Sequence, residues 1–165
     1  MSADSDFALW HALYSLETRY WYDVDYNAGR NAHEFYTSDG TFVVGENEFR
    51  GREQIRQFYA WRGQRGLATV RNLRTTRHLI SNFWTESTSA REANAFAVIS
   101  FHEAPGRAPV KESKPPILIA DIVNLCALDE DGEWRFRSHV LRPVFMGADV
   151  PLSLAVDLTR SGAGS

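Results

Sequence analysis

Apolar residues recur every three or four positions near the start of the chain, at Leu9, Leu13, Leu16, Tyr20 and Val24. Residues with this spacing fall on one face of a helix, so the pattern predicts a long first helix. Trp10, Tyr14 and Trp21 add an aromatic flank, and the helix is therefore expected to be buried on more than one side. It is expected to stop near residues 27–29, where Gly29 can terminate it.

Two further helices are expected before the strands begin. Ala28, Ala32 and Phe35 indicate a short second helix. A third follows Gly51, with Ile55, Phe58, Tyr59 and Arg62 on one face, and it is expected to end at Gly63 and Gly66.

The remainder of the pattern is typical of strands. Residues 38–40 predict a turn into a short strand at 41–44, and a hairpin leads on to 48–50. Four long strands are expected at 77–84, 92–103, 116–128 and 134–145, with a tight hairpin at 129–132. Helices followed by long strands make an α+β order, not an alternating βαβ order.

Length and composition indicate one domain over residues 1–165, with a core at about 7–146 and a tail at 147–165. The net charge is −3 and no basic stripe is present, which argues against nucleic-acid binding. Cys126 is the one cysteine and cannot form an internal disulfide. The longest apolar run, 115–120, is too short to cross a bilayer, so a cytoplasmic protein without membrane contact is expected.

Four motifs stand out in the sequence, at residues 25–42, 51–59, 77–82 and 131–136. Together they resemble SnoaL-like and nuclear-transport-factor-2-like proteins, in particular the scytalone dehydratase and hexachlorocyclohexane dehydrochlorinase-like branch, and the resemblance covers about residues 9–145. It implies a cone-shaped, curved mixed β-sheet wrapped by three N-terminal helices and enclosing a pocket, the cystatin/NTF2-like α+β barrel. Such a fold carries many functions and does not select one.

The resemblance also implies a catalytic pair, because Asp25 and His78 occupy the places of the dyad in that branch. There the histidine removes a proton from the substrate and the aspartate orients the imidazole. A neutral imidazole can act as a base near neutral pH. The residue types alone leave a second interpretation open. Asp25 could be a solvated carboxylate or a turn residue, and His78 a core histidine on a strand.

Three more residues are candidates for the acid that would act together with this base. Asn82 falls on the same strand face as His78 by alternation, where it could hold a substrate oxygen or cap the strand end. His139 stands where related proteins carry a pocket-facing arginine, and Tyr20 stands where they carry a pocket-lining tryptophan or lysine. A core role for Tyr20 remains open.

Four other residues are expected to form the substrate-binding wall. Val24 and Val44 replace two tyrosines of scytalone dehydratase, so scytalone itself is not the expected substrate. Asp121 and Asn124 are polar residues in an apolar strand, and one of them is expected to face the cavity because an unpaired polar group in a core is costly.

The function expected from this resemblance is a lyase or isomerase of scytalone dehydratase type. Proton abstraction would be followed by loss of water or another leaving group, or by a double-bond shift, on a cyclic or aromatic molecule. No metal site and no cofactor are expected, and a homodimer or homotrimer is expected through the outer face of the sheet. The alternative is a non-catalytic ligand-binding or assembly domain like the small subunit of aromatic-ring dioxygenases. An epoxide hydrolase is the third and weakest interpretation.

Overall fold

The computed structural model describes residues 3–69, 74–111 and 114–147. Its helices are α1 (Ala3–Tyr26), a 3₁₀ helix (Ala32–Phe35) and α2 (Gly51–Thr69). Its strands are β1 (Tyr36–Val44), β2 (Asn47–Arg50), β3 (Arg74–Ser87), β4 (Glu92–Pro105), β5 (Leu118–Leu128) and β6 (Trp134–Met146). The tail expected at 147–165 lies outside the described residues, except for Gly147.

The six strands form one mixed sheet in the order β2-β1-β6-β5-β4-β3. The β1–β6 pair is parallel, and the other neighbouring pairs are antiparallel. The helices pack on the inner face of this open sheet, and the buried aromatic and aliphatic side chains fill the space between them. The predicted α+β class and the predicted element order are confirmed.

The end of α1 is tied down by Asp23. Its carbonyl accepts hydrogen bonds from the backbone N–H groups of Asn27 and Gly29, at 2.8 and 3.0 Å. Its carboxylate accepts from the Asn27 side chain and from the backbone of Asn31. The turn after α1 is therefore held without Asp25, whose side chain is free to meet the sheet.

Two local predictions were wrong. Residues 38–40 are not a turn before a strand but part of β1, where the β1–β6 register shifts between Tyr36 and Thr41. A Cβ on Gly40 would lie 2.7 Å from the Phe136 carbonyl oxygen, so glycine is needed there for close approach to β6.

The second wrong prediction concerns α2, which does not end at Gly63 and Gly66 but continues to Thr69. A glycine on an open helix face lowers helix stability by about 1 kcal/mol and does not by itself stop the helix. A Cβ at Gly63 would meet nothing within 4 Å.

Candidate functional site

The last turn of α1 brings Asp25 against β3, where it meets His78. Asp25 Oδ1 lies 2.7 Å from His78 Nδ1, and Oδ2 accepts the backbone N–H of the same residue at 2.8 Å. The Thr76 hydroxyl donates to Oδ1 at 2.8 Å. An ionised carboxylate accepts hydrogen bonds only, so the imidazole carries its proton on Nδ1 and presents a lone pair at Nε2.

Two aromatic rings fix the plane of this imidazole. Trp21 stacks on one side with ring centroids 4.2 Å apart, and Phe101 stacks with centroids 4.3 Å apart and planes 9° from parallel. The His78 and Asp25 side chains are only 6% and 5% exposed. The ring is therefore held in one orientation by packing as well as by its hydrogen bond.

Burial sets the charge of the pair. It lowers the pKa of His78 to about 4, against the opposing effect of the Asp25 carboxylate. Burial by itself raises the pKa of Asp25, but the hydrogen bonds from His78 and Thr76 outweigh it and hold that pKa below its usual value. At neutral pH the site holds a neutral imidazole beside an ionised carboxylate, which is the arrangement that a general base requires.

A small cavity opens beside the imidazole between α1, α2 and the sheet. Its volume is about 20 Å³, roughly enough for one water molecule. Its wall is mostly aliphatic and aromatic, and it also includes the polar residues His78, Tyr59 and Arg62. A ring-sized ligand enters only if the lining side chains move outward.

Behind the cavity lies a second group of buried polar side chains, here called the buried polar cluster: Glu17, Tyr20, Tyr36, Tyr59, Asn124 and His139. The carboxylate of Glu17 accepts hydrogen bonds from Trp21 Nε1 and from Asn124 Nδ2, both at 2.6 Å. His139 Nε2 lies 3.5 Å from the same carboxylate. The Trp21 indole thus contacts His78 with its face and Glu17 with its N–H.

The other half of the buried polar cluster is a chain of hydroxyl groups. Tyr36 lies 2.9 Å from His139 Nδ1 and donates to the Tyr20 oxygen at 3.0 Å. The Tyr20 and Tyr59 hydroxyls are also hydrogen bonded to each other. Tyr20 and His139 were predicted to face the pocket, but both are fully buried in this cluster and neither lines the cavity.

The remaining predicted wall residues divide into two groups. Val24 and Val44 are buried and line the cavity next to His78. Asn124 is the inward-facing member of its pair, although it binds Glu17 and does not line the cavity. Asp121 is exposed on β5, since three positions separate it from Asn124 and strand side chains alternate. It is not part of the site.

Asn82 is also outside the site, contrary to the prediction. The β3–β4 register shifts between Ser81 and Trp84, and Asn82 has a positive φ of 51° within that irregularity. The bulge interrupts the alternation that began at His78, so the Asn82 side chain is exposed.

Sequence reasoning missed Glu17 and did not assign Tyr59 and Arg62 to the site. Tyr59 and Arg62 lie on the apolar face predicted for the third helix. A side chain that ends in a polar group on such a face can indicate a pocket, and this was the only sign in the sequence that both residues belong to the site. Glu17 lies one turn before Trp21, and its partner Asn124 is remote in sequence.

Two features are absent from the described residues. No group of three or more histidine, cysteine, aspartate or glutamate side chains is arranged to hold a metal ion among residues 3–69, 74–111 and 114–147. Within those same segments, no helix combines the length and the apolar character that a membrane span needs.

Comparisons with known proteins place this architecture. No protein-family model matches the sequence, and no curated protein matches it. Solved structures do match. A candidate scytalone dehydratase from Novosphingobium aromaticivorans is 20% identical with a TM-score of 0.72, covering 91% of this chain and 93% of its own. ActVI-ORFA from Streptomyces coelicolor is 15% identical with a TM-score of 0.69, covering 82% and 97%.

A third match is a candidate aromatic ring hydroxylase from Novosphingobium aromaticivorans, 16% identical with a TM-score of 0.66, covering 88% of this chain and 93% of its own. At these identities the likeness concerns the fold. The chain shares its α+β fold with these solved structures and with a protein from Nostoc punctiforme that has a cystatin-like fold.

Proposed function

We propose that this chain, which shares its fold with scytalone dehydratase-like proteins, is a cofactor-free lyase or isomerase. The observation that carries the proposal is the 2.7 Å contact between Asp25 and His78, with the imidazole held between two rings at the wall of a cavity. A buried, oriented imidazole of lowered pKa at a cavity wall supports the proposal, because perturbed pKa values cluster at functional sites.

The proposed reaction begins with removal of a proton from a carbon next to a carbonyl group. His78 Nε2 takes the proton, and the electron pair of the broken C–H bond moves to the carbonyl oxygen to form an enolate. Asp25 stabilises the imidazolium through the Nδ1 hydrogen bond without accepting the proton. The enolate then expels a hydroxyl group from the next carbon, and this group leaves as water with the proton from His78. Return of the proton to a different carbon gives an isomer instead.

The pH dependence of this reaction follows from the lowered pKa of His78. Because only the neutral imidazole accepts a proton, we expect kcat/KM for exchange of carbon-bound hydrogen in heavy water to be half-maximal near pH 4. The rate is expected to be constant from about pH 5.5 to 8. Nuclear magnetic resonance of a panel of cyclic ketones and β-hydroxy ketones measures it. A midpoint near the ordinary value of 6.5 would contradict the effect of burial.

Folding stability changes in the same direction and has to be measured beside the rate. A histidine whose pKa is lowered by folding stabilises the protein above its unfolded pKa of about 6.5, and this contribution is lost as the pH falls towards 4. The lowered pKa of Asp25 adds a further loss at lower pH. Circular dichroism at each pH separates loss of the base from loss of the fold.

The size of the cavity favours a second candidate function. A space of about 20 Å³ does not hold a ring, so the same fold could serve as an assembly domain without turnover. Absence of exchange across the ketone panel, together with a stable complex with a larger subunit in solution, would support that alternative.

We also propose that the protein forms a homodimer or homotrimer through the outer face of the sheet. Leu79 and Trp84 on β3 are 55% and 52% exposed, and Trp84 stacks on Phe96 of β4 in the same face. Apolar side chains grouped on a surface are typical of an interface. Light scattering is expected to give the mass of two or three chains, and Trp84→Lys is expected to lower it. A single-chain mass for the unchanged protein would contradict the proposal.

A further inference from the structure

The indole of Trp21 joins the proposed base to the buried polar cluster. One face of its ring lies on the His78 imidazole, with centroids 4.2 Å apart and planes 21° from parallel. Its N–H donates a hydrogen bond of 2.6 Å to Oε1 of Glu17, one helical turn earlier on α1. The proposed mechanism uses His78 and Asp25, and it leaves Trp21 and Glu17 without a role beyond packing.

Glu17 is fixed in place from the opposite side of the core. It is fully buried, and its second oxygen, Oε2, accepts a hydrogen bond of 2.6 Å from Asn124 Nδ2 on β5. His139 Nε2 on β6 lies 3.5 Å from Oε1. Because a hydrogen bond is strongest when its three atoms are nearly in line, this fixed carboxylate also fixes the direction of the Trp21 N–H.

The burial of Glu17 is costly for the fold. A carboxylate loses its hydration when it is buried, and the hydrogen bonds from Trp21 and Asn124 recover only part of that loss. Replacement of such a group and its partners by apolar side chains of similar volume is often neutral or stabilising. Stability alone therefore gives no reason for a carboxylate at this position, whereas an effect on the adjoining imidazole does.

The carboxylate makes the face of the indole more negative. The face of an aromatic ring carries negative charge density, and indole attracts cations most strongly among the aromatic side chains. An oxygen acceptor close to the N–H polarises the ring and increases the electron density on its face. His78 lies on that face, within the distance of about 6 Å over which a cation is attracted.

The imidazolium of His78 is the species that needs this stabilisation. It forms each time the base takes a proton, at a place where burial lowers the pKa of His78 to about 4. Among the charged groups near the ring, Asp25 favours the imidazolium, whereas Arg62 on α2 and His102 on β4 disfavour it. An electron-rich indole acts in the same direction as Asp25, but from the face of the ring instead of its edge.

We propose that Glu17 and Trp21 are positioning residues for the proposed base. Glu17 holds the indole by its N–H, and the polarised face of the indole stabilises the His78 imidazolium while the proton is on Nε2. The two residues thereby make His78 a stronger base without touching the substrate. This inference rests on the proposed function, because it deepens the role of the base that the function requires.

The first test weakens the negative face of the indole and keeps its shape. The protein is produced with tryptophan or with its mono-, di- and trifluorinated forms, in which each fluorine withdraws electron density from the ring. We expect kcat for hydrogen exchange to fall with each fluorine, by roughly twofold to thirtyfold over the series, the range of a cation–π interaction. KM is expected to stay unchanged. If Trp21 only packed against His78, rings of nearly equal size would give equal rates.

The same series in the Trp21→Phe variant is the control for the other tryptophans. Phenylalanine keeps an aromatic ring at this position but has no N–H for Glu17, so kcat is expected to be lower than in the unchanged protein. Fluorination is then expected to have no further effect, because the ring that lies on His78 no longer carries fluorine.

A second measurement needs no substrate. The pH midpoint of the His78 imidazole is followed by nuclear magnetic resonance in the Arg62→Gln variant, since loss of the nearby positive charge raises the pKa of His78 into a less acidic range. Fluorination is expected to weaken proton binding to His78 by the same twofold to thirtyfold factor. Circular dichroism at each pH shows that the protein stays folded.

Glu17→Gln tests the carboxylate itself. Glutamine keeps an oxygen for the Trp21 N–H, and its amide can donate to Asn124 Oδ1, which has no hydrogen-bond partner among the described residues. Because a neutral acceptor polarises the indole less, kcat and proton binding to His78 are expected to fall, but less than in Trp21→Phe. Glu130→Gln changes an exposed carboxylate and is expected to leave both unchanged.

The outcomes separate this inference from the proposed function. A fluorine-dependent midpoint in a protein without exchange activity would remove the lyase proposal and keep the effect of Glu17 and Trp21 on the imidazole. Exchange activity without any fluorine dependence would do the reverse. The inference would also be overturned by a fluorine effect that persists in Trp21→Phe, or by equal rates in Glu17→Gln and Glu130→Gln.

Discussion

Replacing His78 with glutamine is expected to lower the rate of hydrogen exchange and elimination by about 10²–10⁴-fold, the contribution of a positioned general base. Glutamine can keep a hydrogen bond to Asp25 and fill the space between Trp21 and Phe101, so the fold is expected to survive. The loss is expected in kcat as well as in kcat/KM, because the base acts in the transition state.

Two variants control this experiment. His11→Gln changes an exposed histidine of α1 and is expected to leave the rate unchanged. Asp25→Asn keeps the shape but removes the charge that selects the Nδ1-protonated ring, and it is expected to lower the rate by a large factor of the same order. Undiminished turnover in the His78 variant would remove the mechanism, whatever the Asp25 variant shows.

The largest expected effect on stability comes from Glu17→Ala. This change takes a fully buried carboxylate away from Trp21 and Asn124, and leaves both donors buried without an acceptor. Each buried donor left without an acceptor costs about 1–3 kcal/mol, so the loss of both hydrogen bonds corresponds to a fall in Tm of roughly 4–24 °C for a chain of this length. Thermal unfolding followed by circular dichroism measures it.

The comparison variants for this change are Glu17→Gln and Glu130→Ala. Glutamine keeps an oxygen acceptor in place, so a smaller loss is expected. Glu130 is an exposed carboxylate in the turn between β5 and β6, and its removal is expected to leave Tm unchanged. If Glu17→Ala unfolded within a degree or two of Glu130→Ala, the buried polar cluster would not be a stabilising unit.

The fold was predictable from the sequence because its elements are long and their periods are distinct. The apolar stripe of α1 and the alternation along β3 to β6 each extend over many residues, and errors at their ends change little. The wrong predictions include a residue whose role depends on a contact far away in the sequence and not on its neighbours. Gly40 looked like a turn residue, but the close approach of the Phe136 carbonyl is what requires glycine there.

The candidate site was predictable only in part, for a related reason. Motif resemblance brought Asp25 and His78 together, since each lies in a recognisable segment. The alternation rule put Asn82 on the strand face of His78, which was wrong because β3 has a register shift that cannot be recognised in the sequence. The contact of Glu17 with Asn124 spans 107 positions, and a glutamate within an apolar stripe carries no sign of its partner.

The two valines beside His78 have a consequence for how this protein could change over generations. Val24 and Val44 are buried in the cavity wall, and as aliphatic side chains they take part in none of the hydrogen bonds around Asp25 or Glu17. Exchange of either one for a smaller or larger aliphatic residue would remodel the space offered to a ligand without touching the acid–base groups. A lineage could therefore acquire new ligands through shape alone while the Asp25–His78 pair stays unchanged.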